Sequence, residues 1–350
     1  MSAIEAGRQL AAIFGVAGPE LGAAQRAFFA EADPVGFILF QRNCQSPDQV
    51  RRLVDDLRDC VGRDDAPVLI DQEGGRVARL HPPHWRSAPP QAVFGRLWQR
   101  DRIDAVRAAG LNARLIGDEL ARLGITVDCL PALDLSRPET TAAIGDRALS
   151  DDPEAVAALG RAVAGGLAAA GVLPVIKHMP GHGRARVDSH HALPAVDAGL
   201  AELADSDFLP FARLAHLPIG MTGHILFEAL DPDRPATLSP TVIADVIRGR
   251  IGFSGLLLTD DLSMKALEGT VAERAARALD AGCDLALHCN GELGEMKGIA
   301  AAIRPLDAAA AARVRAAEDY RLTRRSTEFD IAAVQTELAA LLEGISWTAT

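Results

Sequence analysis

The sequence predicts an α/β chain folded as a single-domain (β/α)₈ TIM barrel, residues 1–350, with extra C-terminal helices. Three observations carry that expectation. Eight apolar runs of strand length recur along the chain. The segments between them place apolar residues at helical spacing. Polar, titratable residues gather just past the ends of the runs, where an α/β barrel opens its working face. A doubly wound open sheet is the alternative, but eight strand-then-helix units in succession favour closure.

The runs, in order, are Leu10 to Val16, Val35 to Phe40, Val68 to Ile70, Ile125 to Leu130, Val172 to Ile176, Pro218 to Thr222, Leu256 to Thr259 and Cys283 to Leu287. Between them, Val50, Leu53, Val54, Leu57 and Val61 share one helical face. Val106, Ala109, Ala113, Ile116, Leu120 and Leu123 repeat the pattern, as do Val156, Leu159, Val163 and Leu167. Ser46-Pro47 and Asp152-Pro153 each place a capping residue before a proline at the first helical turn. Gly291 to Ile303 reads as the last barrel helix, and 306–322 and 332–342 as helices packed outside. The proline-rich stretch His81 to Pro90 is read as a loop that walls the site.

Length and composition narrow the function classes. A 350-residue chain that is 49% hydrophobic buries roughly 75% of its unfolded surface. It therefore needs neither disulfide nor metal for stability. A net charge of −11 opposes binding to nucleic acid or to an anionic membrane. The five cysteines, Cys44, Cys60, Cys129, Cys283 and Cys289, are odd in number and form no Cys-x-x-Cys, which suits reduced thiols in the cytoplasm. The N-terminus lacks the basic start and apolar stretch of a leader, and no apolar run reaches about 18 residues. A cytoplasmic monomer acting on a small molecule is expected.

The most informative stretch runs from Val175 to His191. It holds four of the nine histidines together with Lys177, Arg184, Arg186 and Asp188, directly after an apolar strand. Groups this polar must face water or a ligand. If the barrel closes, strand ends bring Asp71, Lys177, His178, His224, Asp260, Asp261 and Asn290 to one mouth. Asp260 and Asp261 follow a buried strand, where a carboxylate either caps the next helix or faces a ligand. Asp188 close to His190 is a pair in which the carboxylate fixes the tautomer and stabilises the charged imidazole.

Two strings make the reading specific. Lys177-His178-Met179-Pro180-Gly181-His182-Gly183 followed by Asp188-Ser189-His190, and Asp71-Gln72-Glu73-Gly74-Gly75-Arg76-Val77, resemble the signatures of glycoside hydrolase family 3, in the form of its bacterial β-N-acetylhexosaminidases of cell-wall recycling. The resemblance spans the third to the seventh predicted strand. It implies a barrel with no cofactor and no metal. It implies that Asp260 is the nucleophile and that His190 with Asp188 is the acid/base pair. It places Asp71, Arg79, Arg147, Lys177 and His178 on the sugar. The implied activity is a retaining exo-β-N-acetylglucosaminidase acting on GlcNAc-1,6-anhydro-MurNAc, with or without peptide.

His182 is assigned to loop architecture, Arg76 to loop support and Asn290 to the rim. His224 is as readily structural as functional, and His191 has no role. Met179 and the Arg184–Arg186 pair depart from the family pattern, and the basic pair points to an acidic aglycone. Two rival readings are a metal-dependent hydrolase using His178, His182, His224 and Asp260, and an inactive sugar-binding protein.

Overall fold

Eight parallel strands close into a barrel in this computed structural model, which describes residues 4–326 and 328–347. Residues 1–3, the start of the stretch read for a leader, lie outside the described residues, as do 327 and 348–350. The strands are β1 (Leu10–Gly15), β2 (Pro34–Leu39), β3 (Val68–Ile70), β4 (Val127–Asp128), β5 (Leu173–Met179), β6 (Ile219–Thr222), β7 (Leu256–Asp261) and β8 (Leu285–His288). Each pairs with the next, and β8 returns to β1 with Ala286 opposite Ala12. Every predicted run became one of these strands.

Two strands run further than their apolar residues. β5 continues through Lys177 and His178 to Met179, and all seven of its residues are buried. β7 continues through Asp260 and Asp261. The ladder persists because neighbouring elements supply partners for the charged side chains, so the cost of burying them is met.

The helices follow the predicted caps. In Pro47–Val61 the Ser46 hydroxyl accepts from the Gln49 N–H, and in Pro153–Ala170 the Asp152 carboxylate accepts from the Glu154 N–H. Val106, on the predicted buried face of Arg102–Arg122, is in fact exposed. Ile331–Leu341 packs on that same helix. Ala308–Arg324 crosses the N-terminal end of the barrel, where Val314 and Ala317 meet Ile13, Leu69, Ile219 and Leu285 around a small apolar space. The end opposite the site is thereby closed.

The proline-rich stretch 81–90 does not wall the site. It buttresses the turn after β3: Gly75 N–H donates to Ala88 O at 2.8 Å. A Cβ on Gly74 would lie 2.3 Å from Pro89 O, and one on Gly75 would lie 2.6 Å from Pro90 Cβ. Both glycines also have positive φ, 92° and 57°, so only glycine fits that turn. A short parallel pair, Ala195–Val196 with Leu226–Phe227, and a π-helical segment, Val242–Arg250, carry too few residues or too ordinary a pattern to be foreseen.

Candidate active site

A cavity of about 330 Å³ opens at the C-terminal ends of the strands. It is lined by Asp71, Arg79, Arg147, Lys177, His178, Asp188, His190 and Asp260. All eight residues assigned from the sequence therefore meet at one place, although they are spread over 190 positions of the chain. Its apolar flank is Phe40, whose ring centroid lies 5.0 Å from the Arg79 guanidinium carbon, a cation–π arrangement.

One wall is a lattice of alternating charge. Lys177 Nζ lies 2.9 Å from Asp71 Oδ1 and 2.7 Å from Glu73 Oε1. Arg147 grips Glu73 with two bonds of 2.8 and 2.9 Å, and Arg79 Nη2 donates to Asp71 Oδ2 at 3.1 Å. Lys177 is only 2% exposed, and a lysine so buried persists only when paired. Burial pushes the Glu73 carboxyl up, but Arg147 and Lys177 outweigh it and hold its pKa down at about 2. Asp71 is held below the usual aspartate range in the same way, with Lys177 and Arg79 overcoming burial. Burial lowers the Lys177 ammonium, and Asp71 with Glu73 raises it past its ordinary value. Lattice donors and acceptors held rigidly against a cavity match the hydroxyls of a polar ligand.

Glu73 was not singled out in the sequence. It looked like part of a glycine turn, yet it ties Lys177 to Arg147. Asp128, buried behind the lattice, was also unforeseen. Its Oδ1 accepts the Gln72 N–H at 2.9 Å, and burial pushes its pKa well up.

A second wall is built around His178. Its Nδ1 lies 2.7 Å from Asp134 Oδ2, and its Nε2 lies 4.0 Å from Asp260 Oδ2. Asp134 is fully buried and also accepts the backbone N–H of His178 at 3.2 Å and of His182 at 2.6 Å. It orients this part of the site without lining the cavity. Asp260 differs from the lattice carboxylates: among the described residues it has no lysine or arginine within ion-pair distance. Burial raises its pKa, while His178, His224 and the Asp261 N–H outweigh burial and keep the carboxyl ionised below its ordinary value. Asp261 does not cap the next helix, which begins at Val271 behind Thr270: its carboxylate accepts from Ser263 in the turn that follows and from the Cys289 N–H.

The third element is the loop after β5. Asp188 Oδ1 lies 2.8 Å from His190 Nδ1 and accepts the His190 N–H at 2.9 Å. That leaves Nε2 as the ring nitrogen that Asp188 does not engage. His190 is 63% exposed and His191 78%, so this pair stands at the open side of the cavity.

The remaining polar residues have other partners. His224 and Asn290 do not line the cavity. His224 bonds to Thr237 and to Asp261 O, and Asn290 to Glu295. Arg76 supports its loop, bonding Asp146 and the carbonyls of Ala142, Ala143 and Ile144. Arg184 is not free for an acidic aglycone. It binds Asp207 and Glu202, each at 2.7 Å, because both lie on the next loop-and-helix segment beside it. Among the described residues no three His, Cys, Asp or Glu side chains form a group that could hold a metal ion.

A barrel with an ionised carboxylate, an imidazole–carboxylate pair and a hydroxyl-matching lattice at one mouth defines a glycosidase-type enzyme. The comparisons agree. The Glycosyl hydrolase family 3 N terminal domain matches residues 6–323. The beta-hexosaminidase of Chromobacterium violaceum is 40% identical over 294 residues, 83% of this chain and 81% of that protein. That of Alkalilimnicola ehrlichii is 38% identical over 282 residues, 79% and 80% of the two chains. The crystal structure of NagZ from Neisseria gonorrhoeae in complex with N-trifluoroacetyl-D-glucosamine superposes with a TM-score of 0.85 at 29% identity, covering 96% of this chain and 98% of that one. This chain belongs to glycosyl hydrolase family 3. It is a glycoside hydrolase, akin to the family's β-N-acetylhexosaminidases.

Proposed function

We propose that the chain is a retaining exo-β-N-acetylglucosaminidase that releases terminal GlcNAc from cytoplasmic peptidoglycan fragments such as GlcNAc-1,6-anhydro-MurNAc, with or without peptide. The observation that carries this reading is the division of the site. An Asp260 carboxylate without a strong cationic partner shares a cavity with the Asp188–His190 pair, in which Asp188 engages Nδ1 and leaves Nε2 for the proton. Asp71, Arg79, Arg147, Lys177 and His178 hold the sugar hydroxyls.

In the first step an Asp260 oxygen attacks C1 while the bond from C1 to the leaving oxygen breaks. The proton on His190 Nε2 passes to that oxygen, and a glycosyl ester forms on Asp260. In the second, His190 takes a proton from water, the water oxygen bonds C1, and Asp260 is freed with the β configuration kept. Asp188 stabilises the charge that His190 carries before the first step and regains after the second.

The test is hydrolysis of a fluorogenic β-GlcNAc beside the matching β-glucoside, followed by trapping with a fluorinated sugar. Selective turnover of the GlcNAc substrate and a mass label on Asp260 are expected. Turnover without any label would instead support attack by the substrate's own acetamido group. Binding without turnover would support the inactive sugar-binding reading.

A further inference from the structure

Ser189 lies between the two members of the acid/base pair, and its surroundings differ sharply from theirs. Val187, His190 and His191 are exposed, while Ser189 is only 4% exposed. Two contacts hold it. Its hydroxyl lies 3.3 Å from His182 Nε2. Its carbonyl accepts the Ala266 N–H at 3.2 Å, and Ala266 belongs to the loop that follows Asp260 on β7. The serine is thus gripped between the element that carries the sugar-binding wall and the element that carries the nucleophile.

His182 is itself fixed. Its N–H donates to Asp134, the carboxylate that also holds His178, and its ring stacks edge-on to His178 with centroids 5.7 Å apart. Its Nδ1 is buried and finds no partner among the described residues, so the contact to Ser189 is the ring's single directional bond. Burial holds its pKa down at about 4, with Asp134 opposing, and the ring is neutral near neutrality.

We infer that His182 and Ser189 are positioning residues, which seat the Asp188–His190 pair over the cavity through the imidazole–hydroxyl contact. The inference rests on the acid/base reading of that pair. Neither residue lines the cavity. Their effect passes through His190, because a donor misplaced by about 1 Å loses much of its rate advantage.

The test uses the full chain and two aryl β-GlcNAc substrates, dinitrophenyl with a good leaving group and phenyl with a poor one. A departing phenoxide needs the proton; a dinitrophenoxide does not. Ser189→Ala and His182→Ala are each expected to lose roughly tenfold more kcat/KM on the phenyl substrate than on the dinitrophenyl one. The double variant should lose no more than either single one, since both remove one contact. Ser189→Thr should restore the phenyl rate.

Equal losses on both substrates, or additive losses in the double variant, would overturn the inference. Should Ser189→Ala melt early, Ser189→Cys keeps the volume and weakens the bond, and the same ratio decides. His190→Ala is the control. If it is sensitive to the leaving group and the Ser189 variants are not, the seating fails and the acid/base reading stands. If it is insensitive, that reading fails and takes the inference with it.

Discussion

At the scale of single residues, the site separates two kinds of carboxylate. Asp71 and Glu73 are spent on cations, whereas Asp260 is left to the cavity. Asp260→Ala should therefore lose several powers of ten in kcat, measured with a fluorogenic β-GlcNAc, with little change in melting temperature. Glu73→Gln acts differently. It keeps the shape but removes the anion between Lys177 and Arg147, and truncating one member of a buried charge network typically costs about 3–5 kcal/mol. It should lower both stability and kcat/KM. The pH dependence has a definite sign. A carboxyl with a depressed folded pKa stabilises the fold above its unfolded value and loses that stabilisation as pH falls through the folded one. Glu73 falls from 4.5 to about 2, so its share is complete above about pH 4.5 and vanishes toward pH 2. Urea midpoints across that window should fall less steeply for Glu73→Gln than for the wild type.

At the scale of elements, the loop after β5 depends on close backbone approach. A Cβ on Gly183 would lie 2.2 Å from Leu135 O, so Gly183→Ala must displace the loop stem. It should cost about 1–3 kcal/mol in denaturant unfolding and lower activity on poor leaving groups. The elements were largely legible in the sequence, and the reasons are particular. The run Val172 to Ile176 marked β5 because apolar residues bounded by glycine and charge have few other uses. The three further residues of β5 were not marked, since Lys177 becomes a strand residue only when Asp71 and Glu73 arrive from β3. Glu73 stayed hidden because its partner Arg147 lies 74 residues away. Asp134 takes its place only through its bonds to His178 and His182. Arg184 misled for the same reason: its partners, Asp207 and Glu202, come from later in the chain.

At the scale of the whole molecule, the barrel is sealed at one end and worked at the other. Val314 and Ala317 of Ala308–Arg324 cover the apolar floor opposite the cavity. Removing residues 307–350 should expose that floor, seen as binding of a hydrophobic dye and a lower melting temperature, although no site residue is touched. One consequence follows from where the two reacting groups are mounted. In the proposed mechanism the attacking oxygen belongs to a barrel strand, and the proton donor to an exposed loop at the rim. Appetite for the sugar and tolerance of whatever is attached to it are therefore separable traits. Grafting a different arm across 184–194 should retune which partners can depart while leaving the choice of sugar untouched.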